Sequence, residues 1–152
     1  MSQPDDQGPL LYERDGDVAI LSFNIPSRLN PLTVALQQAL RERLARLREE
    51  GGTRALVLTG IGRSFCVGAD LGSMGAEGEG GAAAGASLGQ RTSQQMEALS
   101  NRLVEDLRGM PFPVVSAVNG PAAGAGVGVA LAADVVLAAR SAYFYLPFMP
   151  RL

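Results

Sequence analysis

The chain has no histidine, no lysine and no tryptophan, and one cysteine, Cys66, among 152 residues. Each absence removes a class of chemistry. Without histidine, neither a Ser–His–Asp nor a Cys–His nucleophilic machine fits within this chain. Without lysine there is no Schiff-base amine and no Walker-type phosphate ligand. One cysteine and no histidine exclude the usual zinc spacings. A single cysteine forms no internal disulfide, which fits a reducing compartment. The opening MSQPDDQGPL is polar and acidic, with neither the basic nor the apolar region of a secretory signal. These features predict a cytoplasmic protein. Charge is also scarce: 18% of residues are charged and the net charge is −2, which leaves no basic footprint for nucleic acid.

Apolar residues are abundant, at 47%, and the length suffices for one domain with a core. Residues 1–9 read as a disordered arm and residues 10–152 as a single domain. LYERDG and DVAILSF read as two strands turning at Asp15-Gly16, with Val18, Ile20 and Leu21 as the apolar residues of the second. NIPSRLNPLT is a loop ending in Thr33, a helix cap. Leu36, Leu40, Leu44 and Leu47 then share one helical face, with Arg41, Glu42, Arg46, Glu49 and Glu50 on the solvated side, and Gly51-Gly52 stops the helix. RALVLTG is a strand, followed by the loop GRSFCVGADLGSM. The Gly/Ala-rich segment 75–89 is a flexible loop, acting either as a plain linker or as a lid. Met96, Leu99, Leu103 and Leu107 mark a second helix from about Gln90, closed by Gly109 and Pro111. PVVSAV and DVVLAA are strands, and YFYLPFMPRL shows no regular element. Strands alternating with helices predict an α/β fold.

The stretch NGPAAGAGVGVALAADVVLAARS (119–141) admits three functions. A membrane span with a GxxxG face at Gly124 and Gly128 is disfavoured by the turn signal Asn119-Gly120-Pro121 and by Asp134 inside the run. A dinucleotide loop is disfavoured because the third glycine is displaced and no acidic residue follows about 20 positions on. The third function is a turn that opens a helix and presents unpartnered N–H groups to a ligand oxygen, as an oxyanion hole does. Close packing of a helix on a sheet asks for the same glycines and alanines, so these residues alone leave that choice open.

SFCVGADL (64–71) together with NGPAAGAGVGVALAADVVLAARSAYF (119–144) resembles the enoyl-CoA hydratase/isomerase, or crotonase, family, and RLNPLT (28–33) resembles that family's early loop. The resemblance runs over residues 10–152. It implies a crotonase-like spiral of ββα units whose C-terminal helical part lies beyond this sequence. It also implies a coenzyme A thioester as substrate, with no separate cofactor and no metal. By position, the implied oxyanion donors are the N–H groups of Ala69 and Ala125, with Gly124 beside the second. Asp70, Leu71 and Gly72 fall on the pantetheine and adenine side, and Arg28 and Arg63 are the candidates to meet coenzyme A phosphates. Segment 75–89 falls where the family has a mobile substrate loop, which favours the lid. The two hydratase glutamates fall at Gly128 and Phe148, which move no proton, so enoyl-CoA double-bond isomerisation is favoured over hydration. Family isomerases place a single carboxylate in a GLVPD-like segment, which this chain stops short of. Asp70 and Asp134, the nearest acids, read as caps of backbone N–H groups. The expected partners are an acyl-CoA or enoyl-CoA and, in a full-length protein, further copies forming a trimer or hexamer. No membrane partner is expected. A non-catalytic acyl-CoA-binding fragment or a partner-dependent subunit is the alternative. A nucleotide-binding α/β domain is a weaker third.

Overall fold

A computed structural model describes residues 7–70 and 101–146. The elements run β1 (Leu10–Asp15), β2 (Val18–Phe23), a 3-10 turn (Pro26–Arg28), α1 (Val34–Glu50), β3 (Ala55–Gly60) and α2 (Arg102–Arg108). They continue with β4 (Val114–Val118), β5 (Ala122–Ala123), α3 (Ala125–Leu131), β6 (Val135–Ala138) and β7 (Phe144–Tyr145). One sheet has the order β1-β2-β3-β4-β6. Its first pair is an antiparallel hairpin, turning through Gly16-Asp17 with Gly16 at φ +56. The other pairs are parallel. Parallel neighbours need crossovers, and α1 makes the one from β2 to β3. The result is mixed α/β with a parallel sheet, as expected.

The core lies between the sheet and α1. Thr33 caps α1 by accepting from Leu36 N at 3.1 Å, and Gly51 ends it at φ +68. Leu36, Leu40, Leu44 and Leu47 are all buried, as the spacing predicted. They pack in one cluster with Leu21, Phe23, Leu56 and Leu58. Phe23 meets Phe65 edge to face, with centroids 5.2 Å apart. Each such side chain contributes about 1.5–3 kcal/mol on full burial. The structure shows which face of β2 meets the core. Its inward residues are Ala19, Leu21 and Phe23, whereas Val18 and Ile20 are half-buried on the other face. Because VAIL is apolar on both faces, the two-residue period alone does not reveal which face meets the helix.

Two boundaries also differ from expectation. The last residues of the expected arm are tied to the fold: Asn24 N donates to Pro9 O at 2.8 Å, and Asn24 Nδ2 to Gly8 O at 2.9 Å. The aromatic tail contains a strand, because Phe144–Tyr145 pairs in parallel with β5. Of the second predicted helix, α2 is described, with Leu103 and Leu107 buried and Gly109 at its end. Gln90, Met96 and Leu99 lie outside the described residues. Arg41 Nε donates to Asp106 Oδ2 at 2.7 Å and so ties α1 to α2. Among the described residues no helix is long and apolar enough to cross a membrane.

Candidate active site

The two sequence motifs meet. The loop after β3 runs beside the turn after β4, and Cys66 bridges in parallel to Ala122. Phe65 N and Cys66 N both donate to Pro121 O, at 3.1 and 3.2 Å, and Ala123 N donates to Cys66 O at 2.9 Å. Glycine is required where the two segments press together. A Cβ on Gly126 would run into Cys66 O, and one on Gly120 into Arg63 O. A Cβ on Gly68 would lie 2.6 Å from Ala123 O and 3.1 Å from Ala125 N. The peptide carrying Ala69 N–H and the one carrying Ala125 N–H are therefore neighbours in space.

Both N–H groups are held by bonds on the far side of their own peptides. Gly68 O accepts from Leu32 N at 2.8 Å, within the parallel bridge of Leu32 to Ala69. A trans peptide points its N–H opposite to its C=O, so this bond turns Ala69 N–H away from Leu32. Gly124 O accepts from Val127 N at 3.1 Å, which fixes the plane of the Gly124–Ala125 peptide in the same way. Gly124 stands at φ +51 with open space where a Cβ would be, so its backbone conformation is what asks for glycine there. Its own N–H is taken by Tyr145 O at 2.9 Å. Ala69 is exposed between buried Gly68 and buried Asp70, and Ala125 is half-buried. Among the described residues neither the Ala69 nor the Ala125 N–H has a hydrogen-bond acceptor. α3 has seven residues, so its contribution here is local N–H groups rather than a long macrodipole.

The other expected site residues divide. Arg28 Nη2 pairs with Asp70 Oδ1 at 2.6 Å, with the arginine side chain 53% exposed and the aspartate 8%. One guanidinium nitrogen is therefore committed to Asp70, while about half of the arginine side chain is exposed. Arg63 is exposed on the turn after β3 and makes no ion pair among the described residues. Asp134 behaves as the expected cap, since its Oδ2 accepts from Val114 N at 2.8 Å. Gly128 is exposed, with nothing within 4 Å of a notional Cβ, so the position of the first family glutamate is open space. Leu71, Gly72, segment 75–89 and Phe148 lie outside the described residues. Among the described residues no group of three His, Cys, Asp or Glu side chains is placed to hold a metal.

Cys66 sits at the junction of the motifs but is chemically quiet. Burial pushes its thiol up from 9.0 to about 12, offset only in part by a backbone hydrogen bond from Gly68. Sequence reasoning overlooked two polar residues that shape the site, Asn30 and Asn119. Asn30 is buried at φ +56 in the early loop. Its place between two prolines, in IPSRLNPLT, was the available signal, because asparagine tolerates left-handed backbone.

The fold is α/β, and its two glycine-rich loops pack against each other around Gly68, Gly120 and Gly126. Residues 13–150 match the model of the enoyl-CoA hydratase/isomerase family, and the chain belongs to that family. It is 42% identical over 137 residues to a probable enoyl-CoA hydratase of Rhodobacter capsulatus, covering 90% of this chain and 48% of that protein. It is 41% identical over 139 residues to the 1,2-epoxyphenylacetyl-CoA isomerase of Escherichia coli, covering 91% and 50% respectively. The crystal structure of an enoyl-CoA hydratase from Bacillus anthracis superposes with a TM-score of 0.79 at 30% identity, covering 91% of this chain and 50% of that one. The fold is that of the crotonases. The chain spans about half the length of the relatives it matches.

Proposed function

We propose that the protein binds a coenzyme A thioester with its carbonyl oxygen between Ala69 N–H and Ala125 N–H, and shifts a double bond of an enoyl-CoA through the enolate so held. The observation that carries this reading is the contact of the two peptides, with the missing Cβ of Gly68 opposite Ala125 N at 3.1 Å. The chemistry is balanced within the substrate. A base from outside the described residues takes a proton from the α or γ carbon, the C–H electrons move onto the thioester oxygen, and the same base returns the proton to the dienolate at the other carbon. Two pre-aimed donors lower the energy of that oxyanion without reorganising. Isomerisation is preferred to hydration because Gly128 supplies no carboxylate to activate water. The E. coli relative's name, a CoA-thioester isomerase, is compatible with that preference. Arg28 and Arg63 are proposed to meet the coenzyme A phosphates, Asp70, Leu71 and Gly72 to line the pantetheine and adenine side, and Gly124 to border the substrate beside the second donor. The proposed setting is the cytoplasm, with trimers or hexamers of the whole protein.

Replacing Ala125 with proline deletes one donor at the first helical position, where proline fits the backbone. Loss of one such donor is expected to cost about 2.7–4 kcal/mol of transition-state stabilisation, a fall of about a hundredfold or more in turnover of an enoyl-CoA. Unchanged turnover with normal folding would sink the assignment.

A second reading rests on a specific observation. Asp70 pairs with Arg28 and Asp134 with Val114 N, so the two nearest acids are committed to structure. A non-catalytic acyl-CoA-binding chain, or one that takes its base from a partner, would bind the thioester without turning it over. Titration with an enoyl-CoA, followed by product analysis, separates the two.

A further inference from the structure

Two asparagine side chains close on one carbonyl in the loop that leads to Ala69. Asn30 Nδ2 donates to Ser64 O at 2.9 Å and to Ile61 O at 3.0 Å, while its Oδ1 accepts from Ile25 N at 2.8 Å. Asn119 Nδ2 donates to Gly62 O at 2.9 Å and to Ser64 O at 3.4 Å, and its Oδ1 accepts from Gly60 N at 3.2 Å. The turn 61–64 is thereby fastened to the early loop on one side and to the end of β4 on the other. Glycine at 60 completes the fit, because a Cβ there would collide with Ser64 O and lie 2.9 Å from Asn30 Nδ2. The left-handed backbone at Leu29 and Asn30, φ +64 and +56, then turns the chain so that Leu32 N reaches Gly68 O. Non-glycine residues at positive φ store strain that the surrounding structure must hold, and the Asn30 side-chain bonds are what hold it.

We propose that Asn30, together with Asn119, is a positioning residue for the Ala69 N–H. The pair clamps Ser64 O from two sides and, through the Leu32–Gly68 bond, sets the plane of the Gly68–Ala69 peptide. This rests on the oxyanion reading of Ala69 and Ala125. The role of the two asparagines is to fix where the first donor stands relative to the second, and misplacement by about 1 Å is enough to cost about a hundredfold in rate.

The test reads polarisation directly. A conjugated aryl-acryloyl thioester of coenzyme A is bound to the protein, and its absorption maximum is compared with that of the free thioester. Donors on the carbonyl oxygen draw electron density along the conjugated system and move the maximum to longer wavelength. The variants are Asn119→Asp, which keeps the acceptor for Gly60 N and loses the donor, and Asn30→Gly, which keeps the left-handed backbone and loses the clamp. Thr59→Val is the control: it removes the Thr59 Oγ1 to Ala117 O bond of 2.9 Å between β3 and β4 and leaves the Asn30 and Asn119 side-chain bonds in place.

The expected result is a red shift in the unaltered protein and in Thr59→Val, and less than about half of that shift in Asn119→Asp and Asn30→Gly. With an enoyl-CoA substrate, kcat should fall about tenfold or more in these two while KM changes little. Folded Asn119→Asp and Asn30→Gly proteins that keep the full shift, with only a lower Tm, would overturn the positioning role and leave the oxyanion reading intact. Absence of any shift in the unaltered protein would instead overturn the oxyanion reading itself, and the positioning role with it.

Discussion

β3 and β6 are parallel strands of one sheet with nearly the same composition, ALVLTG and VVLA, yet they live in different environments. Leu58 in β3 is fully buried, whereas Leu137 in β6 is 61% exposed. β3 has a paired strand on each side and contributes to the core under α1. Among the described residues β6 pairs only with β4 and ends the sheet. Leu131, Val135, Tyr143, Phe144, Tyr145 and Leu146 are exposed as well. Apolar composition makes a strand fit for burial, but topology decides whether anything covers it. The candidate site lies between these regimes: the loop after β3 belongs to the packed part, and the turn that carries Ala125 leads into the uncovered part.

The comparison predicts its largest difference for truncated leucines. Leu58→Ala removes a side chain with no exposed surface and is expected to destabilise by about 2–5 kcal/mol, through lost burial and the cavity left behind. Urea unfolding followed by circular dichroism checks this. A cost below about 1 kcal/mol would mean that the core under α1 is loosely packed. Next comes Gly126→Ala, at the seam between the two regimes. The added methyl meets Cys66 O, so the helix must retreat, at a cost of about 1–3 kcal/mol. Thioester binding should weaken along with stability, because Ala125, whose N–H is the proposed second donor, opens α3. Normal binding and stability together would mean that the seam is slack.

Much of the packed part was legible in the sequence, for physical reasons. The leucines of α1 repeat at helical spacing, and Thr33 and Gly51 bracket them. The Gly/Ala stretch identified the turn and α3, because only small residues allow Gly126 against Cys66 O and Gly120 against Arg63 O. The inward face of β2 was not legible, since VAIL is apolar on both faces. β7 was hidden as well. It is a two-residue strand whose partner, β5, lies about 20 residues away, and local pattern carries no trace of such a pairing. The asparagine clamp escaped because its bonds span 31 to 59 residues. The polar side chains involved look like ordinary turn residues until the turns are brought together.

Cys66 gives a smaller, pH-dependent test of the same seam. Its folded-state thiol is raised to about 12, against 9.0 when exposed. Below pH 9 both states keep the proton and the thiol adds no pH dependence. Above it the unfolded chain releases the proton first, so stability falls as pH rises from about 9 towards 12. The stability difference between the unaltered protein and Cys66→Ala should therefore shrink when unfolding is measured at roughly pH 11 instead of pH 8. In the native protein at pH 8 a thiol reagent should label Cys66 only as fast as the fold opens. Rapid labelling without unfolding would show that the seam admits solvent.

The smallest stability effect belongs to the uncovered strand. Leu137→Ser exchanges a side chain that is already 61% exposed, so the change in unfolding free energy should stay within about 0.5 kcal/mol. Its visible consequence should be intermolecular. Exposed apolar residues on an edge strand favour association with whatever apolar surface is available, and a polar residue in their place should lower light scattering in concentrated solution. Set beside Leu58→Ala, this variant measures how far burial differs between two strands of similar sequence. A loss of about 2 kcal/mol or more in Leu137→Ser would place that side chain in a packed environment. The edge would then be covered in the native protein, and the contrast between β3 and β6 would disappear.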